Sequence, residues 1–257
     1  MAETATVAIG EPGWIDLTSS DAAAAHAFYT ALFGWTVDVV PDPQAGGYGM
    51  FKLDGKEVAG VGPLQDPSQP TTWTMYVVVA DADATAQKVK PAGGAVLAEP
   101  FDVPNAGRMA LVADPAGAVT GIWQAGDHAG GWAVRDVPGS VGWLELNTRG
   151  FDATKPFYQS VFGWVPVQSE MPGPEYTEFQ VNGTSVAGGW EMPEGVRGDA
   201  PSYWLIYFLV DDADAVTGRN RELGGETLME PTDIAPGRFA VLRDPQGAAF
   251  AVIRSSN

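Results

Sequence analysis

The stretch FYTALFGW at residues 28–35 decides the architecture, because it returns as FYQSVFGW at residues 157–164, a separation of 129 residues. Other pieces return at nearly the same separation: GWIDL (13–17) as GWLEL (142–146), Gly107-Arg108 as Gly237-Arg238, and Asp114-Pro115 as Asp244-Pro245. The register drifts by only one or two residues over a whole repeat. Such regular self-similarity predicts a duplicated domain.

The length of the chain, 257 residues, leaves room for two domains of ordinary size. We predict a first domain over residues 10–125 and a second domain over residues 139–254. Residues 126–138 between them are rich in glycine and proline, which is typical of a linker. The bulky Trp132 inside this linker indicates that part of it packs down.

Each copy shows the pattern β-α-β-β-β twice, which predicts an α+β fold. In the first copy, Asp21 stands at the N-cap of a helix whose apolar stripe ends at Gly34. A second helix is predicted from Asp81 to about Pro91. Strands are predicted at residues 14–19, 35–40, 48–53, 58–62 and 72–79, with three more after the second helix.

The second copy repeats the plan. Asp152 is predicted to cap a helix that runs through Val161, as Asp21 does in the first copy. Tyr203–Val210 is predicted to be the strand that matches residues 72–79.

The composition excludes several classes of function. With 32 acidic and 14 basic residues, the formal net charge is −18, which repels nucleic acids and anionic membranes and attracts cations. The sequence has no cysteine, so disulfides and cysteine-ligated metal sites are excluded. We see no signal peptide and no apolar run of the roughly 18 residues that span a membrane. We therefore expect a cytoplasmic protein with no nucleic-acid or membrane partner, and its oligomeric state stays open.

The order of the motifs points to a family. A strand, an Asp-capped helix ending in Phe-Tyr-x-x-x-Phe-Gly-Trp, further strands, and Asp-Pro before the last strand occur in this order in each copy. This order resembles the vicinal oxygen chelate superfamily of glyoxalases, bleomycin-resistance proteins and dihydroxybiphenyl dioxygenases, above all its two-domain members of the actinobacterial type. The resemblance implies a tandem duplication of glyoxalase-like domains. Each domain is then built from two βαβββ modules forming a cupped sheet that holds a ligand on its concave side.

Enzymes of that superfamily hold a divalent metal at three recurrent strand positions. On this chain the resemblance places those positions at Trp14, Thr74 and Gly121, and in the second copy at Trp143, Leu205 and Ala251. None of these residues suits the expected ligation, so we expect no metal and no other cofactor. The only histidines are His26 on the first helix and His128 in the linker, and their placement argues against a joint iron site. An all-oxygen calcium or magnesium site is left open.

Alternation along the strands indicates which side chains share the concave face. It gives each copy an aromatic and aliphatic surface with one carboxylate. The candidate ligand-binding residues are Trp14, Asp16, Thr74, Tyr76 and Trp123 in the first copy and Trp143, Glu145, Leu205 and Tyr207 in the second. The aromatic residues also suit a purely structural core. The carboxylates also suit hydrogen bonds from tyrosines, from backbone groups, or from Arg108 and Arg238.

The favoured hypothesis is a metal-independent protein that binds a small aromatic molecule, as a drug-sequestering protein does. Aromatic faces bind a planar ring, and a nearby carboxylate favours a cationic ligand. The alternative is a cofactor-free enzyme or an oxygenase-accessory protein of secondary metabolism. In that case Asp16 or Glu145 acts as a general base, with Tyr76 or Tyr207 as a proton donor. A protein-interaction module with an exposed apolar patch is a third possibility.

Overall fold

The two sequence copies fold into the same run of elements. The computed structural model describes residues 7–41, 45–171, 175–193 and 201–256. The first repeat contains β1 (Pro12–Ser19), α1 (Ala22–Phe33), β2 (Thr36–Val39), β3 (Gly49–Leu53), β4 (Lys56–Pro63), β5 (Thr72–Val79), α2 (Ala82–Val89), β6 (Ala95–Val103), β7 (Gly107–Ala113) and β8 (Val119–Ala125). The second repeat contains β9 (Val141–Thr148), α3 (Phe151–Phe162), β10 (Val165–Gln168), β11 (Thr177–Val181), β12 (Thr184–Glu191), β13 (Tyr203–Leu209), α4 (Ala213–Glu222), β14 (Glu226–Ile234), β15 (Gly237–Arg243) and β16 (Ala249–Ser255).

Each repeat contributes one eight-stranded sheet. The strand order is β2-β3-β4-β1-β5-β8-β7-β6 in the first sheet and β10-β11-β12-β9-β13-β16-β15-β14 in the second. The β1–β4 and β5–β8 pairs are parallel, whereas β2–β3, β3–β4, β6–β7 and β7–β8 are antiparallel. The α+β class and the tandem duplication are therefore confirmed.

Local signals explain the start of three helices. Asp21, Asp81 and Asp212 each lie in extended backbone, and each side chain accepts a hydrogen bond from the amide three residues later, at 2.9, 2.9 and 3.0 Å. Gly34 and Gly163 end α1 and α3 in the left-handed region, with φ values of 72° and 78°. The second helix ends at Val89, slightly before the predicted boundary near Pro91.

The predicted cap of α3 was wrong. Its N-cap is Gly150, at φ 80°, and Asp152 lies inside the first turn of the helix. Glycine has no side chain that could accept a hydrogen bond from the first turn of the helix. The Glu191 carboxylate at the end of β12 caps the helix instead. It accepts hydrogen bonds from the backbone amides of Gly150 and Phe151, at 2.9 and 2.7 Å. The cap therefore comes from a residue about forty positions away, which local spacing does not reveal.

The chain forms two compact units, and each unit draws on both repeats. Unit 1 comprises Met1–Trp14, Met75–Trp132 and Leu144–Trp204, and unit 2 comprises Ile15–Thr74, Ala133–Trp143 and Leu205–Asn257. Unit 1 thus combines the second half of the first repeat with the first half of the second repeat. Unit 2 combines the two remaining halves.

Each unit has an aromatic core built around one tyrosine. In unit 2, Tyr29 on α1 packs against Trp35, Phe51, Trp73 and Phe250 at ring-centroid distances of 5.2 to 6.1 Å. In unit 1, Tyr158 on α3 packs in the same way against Trp164, Phe179 and Trp204. Trp35 and Trp164 are buried and belong to these two cores.

Helices long and apolar enough to cross a lipid bilayer are absent from the described part of the chain.

Candidate functional site

In unit 1 the structure brings Trp14 and Trp123 together through a histidine of the predicted linker. The His128 ring meets Trp14 edge-on at 5.0 Å and Trp123 edge-on at 5.8 Å between centroids. Both indoles are buried, with 6% and 9% of their surface exposed. His128 also accepts a hydrogen bond at Nδ1 from the Gly130 amide, at 3.2 Å.

Two other candidates of the first repeat lie on β5. The ring of Tyr76 lies across β8 at Gly121, where a Cβ atom would stand 2.1 Å from the ring. Gly121 is therefore needed for the position of this tyrosine, and it has no side chain that binds a ligand. Thr74 is buried at the start of the strand.

The carboxylate Asp16 lies in unit 2 and is paired with a tyrosine. The Tyr48 hydroxyl donates a hydrogen bond to Asp16 Oδ1 at 2.6 Å, and both residues are partly buried. The pair stands over Gly60, where a Cβ atom would meet the Tyr48 hydroxyl at 1.8 Å and Asp16 Oδ1 at 2.0 Å. Only glycine leaves space for this pair. Tyr48 was not singled out in the sequence. It lies just before β3, and β4, which carries Gly60, separates β3 from Asp16 on β1.

The second carboxylate, Glu145, lies in unit 1 in a polar chain of its own. Asn147 donates to Glu145 Oε1 at 3.3 Å and accepts from Trp190 Nε1 at 2.9 Å. Trp190 was not predicted, because it has no aromatic counterpart in the first repeat.

The two arginines offered as partners for these carboxylates make other contacts. Arg108 pairs with Asp83 and Asp102, and Arg238 pairs with Asp214 and Asp233, at distances from 2.6 to 3.1 Å. The Arg108 guanidinium holds the pKa of Asp83 below its usual value, and Arg238 does the same for Asp214. Asp16 instead accepts a hydrogen bond from Tyr48, and Glu145 accepts one from Asn147.

The remaining candidates of the second repeat lie in unit 2. Tyr207 on β13 packs against Phe239 on β15 at 6.0 Å with an interplanar angle of 31°. Leu205 is buried two residues earlier on the same strand, while Trp143 on β9 is only partly buried. Phe239 faces Ile253 in the β15–β16 ladder, and the matching pair in the first repeat is Met109 and Trp123. The sequence prediction missed Phe239, although strand alternation offered a signal for it.

Each unit contains one buried polar network, which joins the two repeats. In unit 1, Tyr158 donates to Asp114 at 3.0 Å and accepts from Trp204 Nε1 at 3.0 Å. In unit 2, Tyr29 makes the equivalent bonds to Asp244 and from Trp73, at 3.0 and 2.9 Å. Burial raises the pKa of both carboxyl groups and of both tyrosine hydroxyls. These groups are enclosed in the core, so we assign them a structural role.

The residues at the expected metal positions do not fit a divalent cation. The indole of Trp14 or Trp143 is only a hydrogen-bond donor, and Leu205, Ala251 and Gly121 have no ligating side-chain atom. Thr74 supplies a single neutral hydroxyl, which is not the histidine or carboxylate set that holds such a cation. Across the ranges that the structure describes, no group of three or more His, Asp or Glu side chains is placed to hold a metal ion. His26 faces Phe51 edge-on at 6.0 Å, and its buried Nε2 has no hydrogen-bond partner.

Comparison with known proteins identifies the class. The model of the Glyoxalase/Bleomycin resistance protein/Dioxygenase superfamily matches residues 11–121 and 140–252. The chain therefore belongs to this superfamily. Among solved structures, it resembles the Mn(II)-bound glyoxalase from Novosphingobium aromaticivorans, with a TM-score of 0.63 and 17% identity, over 97% of this chain and 85% of that one.

Curated relatives are more similar in sequence. The chain is 44% identical to the anthracycline biosynthesis protein DnrV of Streptomyces peucetius, over 95% of this chain and 93% of the relative. It is 42% identical to a Mycobacterium bovis protein named "Putative glyoxylase CFP32", over 95% of each chain. Both alignments cover nearly the whole length of this chain and of the relative.

Proposed function

We propose that the protein binds a planar, amine-bearing organic molecule against its aromatic side chains, without a metal ion. The observation that carries this proposal is the chemistry of the strand positions where the superfamily keeps its metal ligands. Trp14 and Trp143 occupy two of these six positions. Leu205, Ala251 and Gly121 have no ligating side-chain atom, and Thr74 offers only one neutral hydroxyl. The candidate contacts are Trp14, Asp16, Thr74, Tyr76, Trp123, Trp143, Glu145, Leu205 and Tyr207.

Charge supports a cationic ligand. The net charge of −18 concentrates cations around the protein. Asp16, held by Tyr48, and Glu145, held by Asn147, are partly buried carboxylates that can pair with an ammonium group. An ammonium group also gains by lying over an indole face, by roughly 0.5–2 kcal/mol.

The names of the relatives support a polycyclic aromatic ligand. DnrV is named for anthracycline biosynthesis, and anthracyclines are polycyclic aromatic compounds. A buried aromatic contact covers on the order of 150–250 Å² and adds roughly 0.5–1.5 kcal/mol from ring geometry. Two such contacts supply much of the roughly 8 kcal/mol that a micromolar dissociation constant requires. A role in secondary metabolism, as a carrier or sequestering protein, is consistent with these features.

Doxorubicin, an anthracycline that bears an amino sugar, is a suitable probe for the proposal. We expect it to quench the tryptophan fluorescence of the protein with a micromolar dissociation constant. The matched probe is its aglycone doxorubicinone, which lacks the amine and is expected to bind more weakly. Quenching that survives unchanged in both Trp14→Ala and Trp143→Ala would overturn the assignment.

The second candidate function is a cofactor-free enzyme or an oxygenase-accessory protein. The close hydrogen bond between Tyr48 and Asp16 favours it, because such a pair can take up or release a proton. Glu145 is the corresponding base of the second repeat, and Tyr76 or Tyr207 is a further proton donor. Turnover that is lost in Asp16→Asn, while binding is retained, distinguishes this function from simple binding.

A further inference from the structure

A segment of the chain itself covers the indoles of Trp14 and Trp123 in the first repeat. We call residues Gly126–Trp132 the strap. The Gly130 backbone lies directly on Trp123, since a Cβ atom at Gly130 would stand 2.2 Å from the indole. The Gly130 carbonyl lies against Gly13, where a Cβ atom would be 2.0 Å away. His128 then fills the space beside Trp14 and Trp123 with its own ring.

The strap is fixed at three points within unit 1. Its His128 amide donates to the Ala106 carbonyl at 3.0 Å. Trp123 Nε1 donates to the His128 carbonyl at 3.2 Å, and Trp132 Nε1 donates to the Pro12 carbonyl at 2.8 Å. Gly130 has a φ of 67°, so this path requires glycine both for its backbone conformation and for its contact with Trp123. These bonds hold the strap in one place on the indoles.

The second repeat lacks the residue that anchors a strap. Ile253 occupies the position of Trp123, as the pairing of Phe239 with Ile253 and of Met109 with Trp123 shows. An isoleucine cannot donate a hydrogen bond to a backbone carbonyl. It is also smaller than the indole, and Phe239 supplies an additional ring in place of Met109. In the part of the chain that the structure describes, Trp143 keeps more of its surface exposed than Trp14 does.

We propose that the two repeats have different roles: the strap closes the indoles of the first repeat, and the planar ligand is bound at Trp143 in the second. The His128 ring takes the place beside Trp14 and Trp123 that an aromatic guest would otherwise occupy. This assignment rests on the proposed binding function, because it states which repeat performs it. It implies one ligand per chain.

The closure is tested without any ligand. Hydroxyl-radical footprinting of the full chain, read by peptide mass spectrometry, gives the oxidation rate of each tryptophan. We expect Trp14 and Trp123 to react several-fold more slowly than Trp143, and His128→Ala to raise the rate at Trp14. Trp123→Ile, which installs the residue of the second repeat, is a second variant with the same expected effect. Equal rates at Trp14 and Trp143 in the unmodified protein would overturn the closure.

The choice of repeat is tested by calorimetric titration with doxorubicin. We expect one equivalent to bind, and Trp143→Ala to weaken binding by about tenfold or more, the factor that corresponds to about 1.4 kcal/mol. His128→Ala is expected to leave this site unchanged and to add a second one, which disappears in the double variant with Trp14→Ala.

Two outcomes separate this inference from the proposed function. Two equivalents bound by the unmodified protein, or full affinity in Trp143→Ala, would refute the assignment to the second repeat while the binding function stands. No doxorubicin binding at all, with Trp14 protected from oxidation, would refute both the binding function and the ligand assignment to Trp143. In that case only the closure by the strap is retained.

Discussion

Removal of the Tyr158 hydroxyl tests whether the buried networks hold each unit together. In Tyr158→Phe the ring stays, but the Trp204 indole N–H loses its acceptor and Asp114 loses its donor. Both remaining groups are buried. An unsatisfied buried polar group costs about 1–3 kcal/mol, and a hydrogen bond to a charged group contributes about 1.5–3 kcal/mol. We therefore expect the free energy of unfolding to fall by about 3 kcal/mol at pH 8.

Urea denaturation followed by circular dichroism measures this loss. With a slope of about 2 kcal/mol per molar urea, the midpoint is expected to fall by about 1.5 M. Tyr29→Phe is expected to behave alike, because Asp244 and Trp73 repeat the geometry in unit 2. Tyr48→Phe is the matched control, since its hydroxyl is only partly buried, and it should cost about 1 kcal/mol or less. Losses below about 0.5 kcal/mol in both core variants would refute the structural role of the networks.

Three further predictions concern stability. Glu191→Ala should lower the free energy of unfolding by about 1 kcal/mol, because it removes the cap of α3, whereas Asp152→Asn should change it by less than about 0.5 kcal/mol in the same urea assay. Burial lowers the pKa of His26 below its ordinary 6.5, so the unfolded chain binds more protons in that range. Stability should therefore fall as the pH drops below about 6.5, and a thermal-melt series in His26→Gln should show a smaller fall; an identical pH dependence would exclude His26 as its source. A fragment of residues 10–125 alone should unfold without cooperativity, because neither unit is complete without the other repeat; a sharp, two-state transition of the fragment would contradict this.

The sequence predicted the elements well, because their signals are local. The N-caps at Asp21 and Asp81 and the glycine at residue 34 each act within one turn of the helix they bound. The α3 cap failed for the opposite reason, since Glu191 reaches Gly150 only after β12 has folded beside it. Periodicity has no means of showing such a contact.

The repeat pattern does not show which halves of the two repeats pack together into one unit. Tyr29 has two chemically identical partners to choose from, Asp114 of its own repeat and Asp244 of the other. Asp114 follows β7 and Asp244 follows the equivalent strand β15, and each is the first residue of an Asp-Pro pair. Only the three-dimensional structure shows that Tyr29 bonds to Asp244 and Tyr158 to Asp114.

The sequence predicted individual candidate ligand contacts, but it did not predict the residues that these contacts touch in the structure. Strand alternation pointed to Asp16 and Tyr207 but not to their partners. Tyr48 lies just before β3, and Phe239 lies on β15. His128 was assigned only to the linker, and the structure places its ring against two indoles. A linker that packs on the fold has no periodicity from which this position follows.

Calorimetric titration of doxorubicin into protein treated with a strong chelator tests the central claim most directly. The claim is that indole rings, and no metal, provide the binding surface. We predict the same micromolar affinity in chelator and after incubation with Mn²⁺, and no stoichiometric metal in the purified protein by elemental analysis. Binding that appears only after Mn²⁺ is added, or one equivalent of metal retained by the protein, would contradict it.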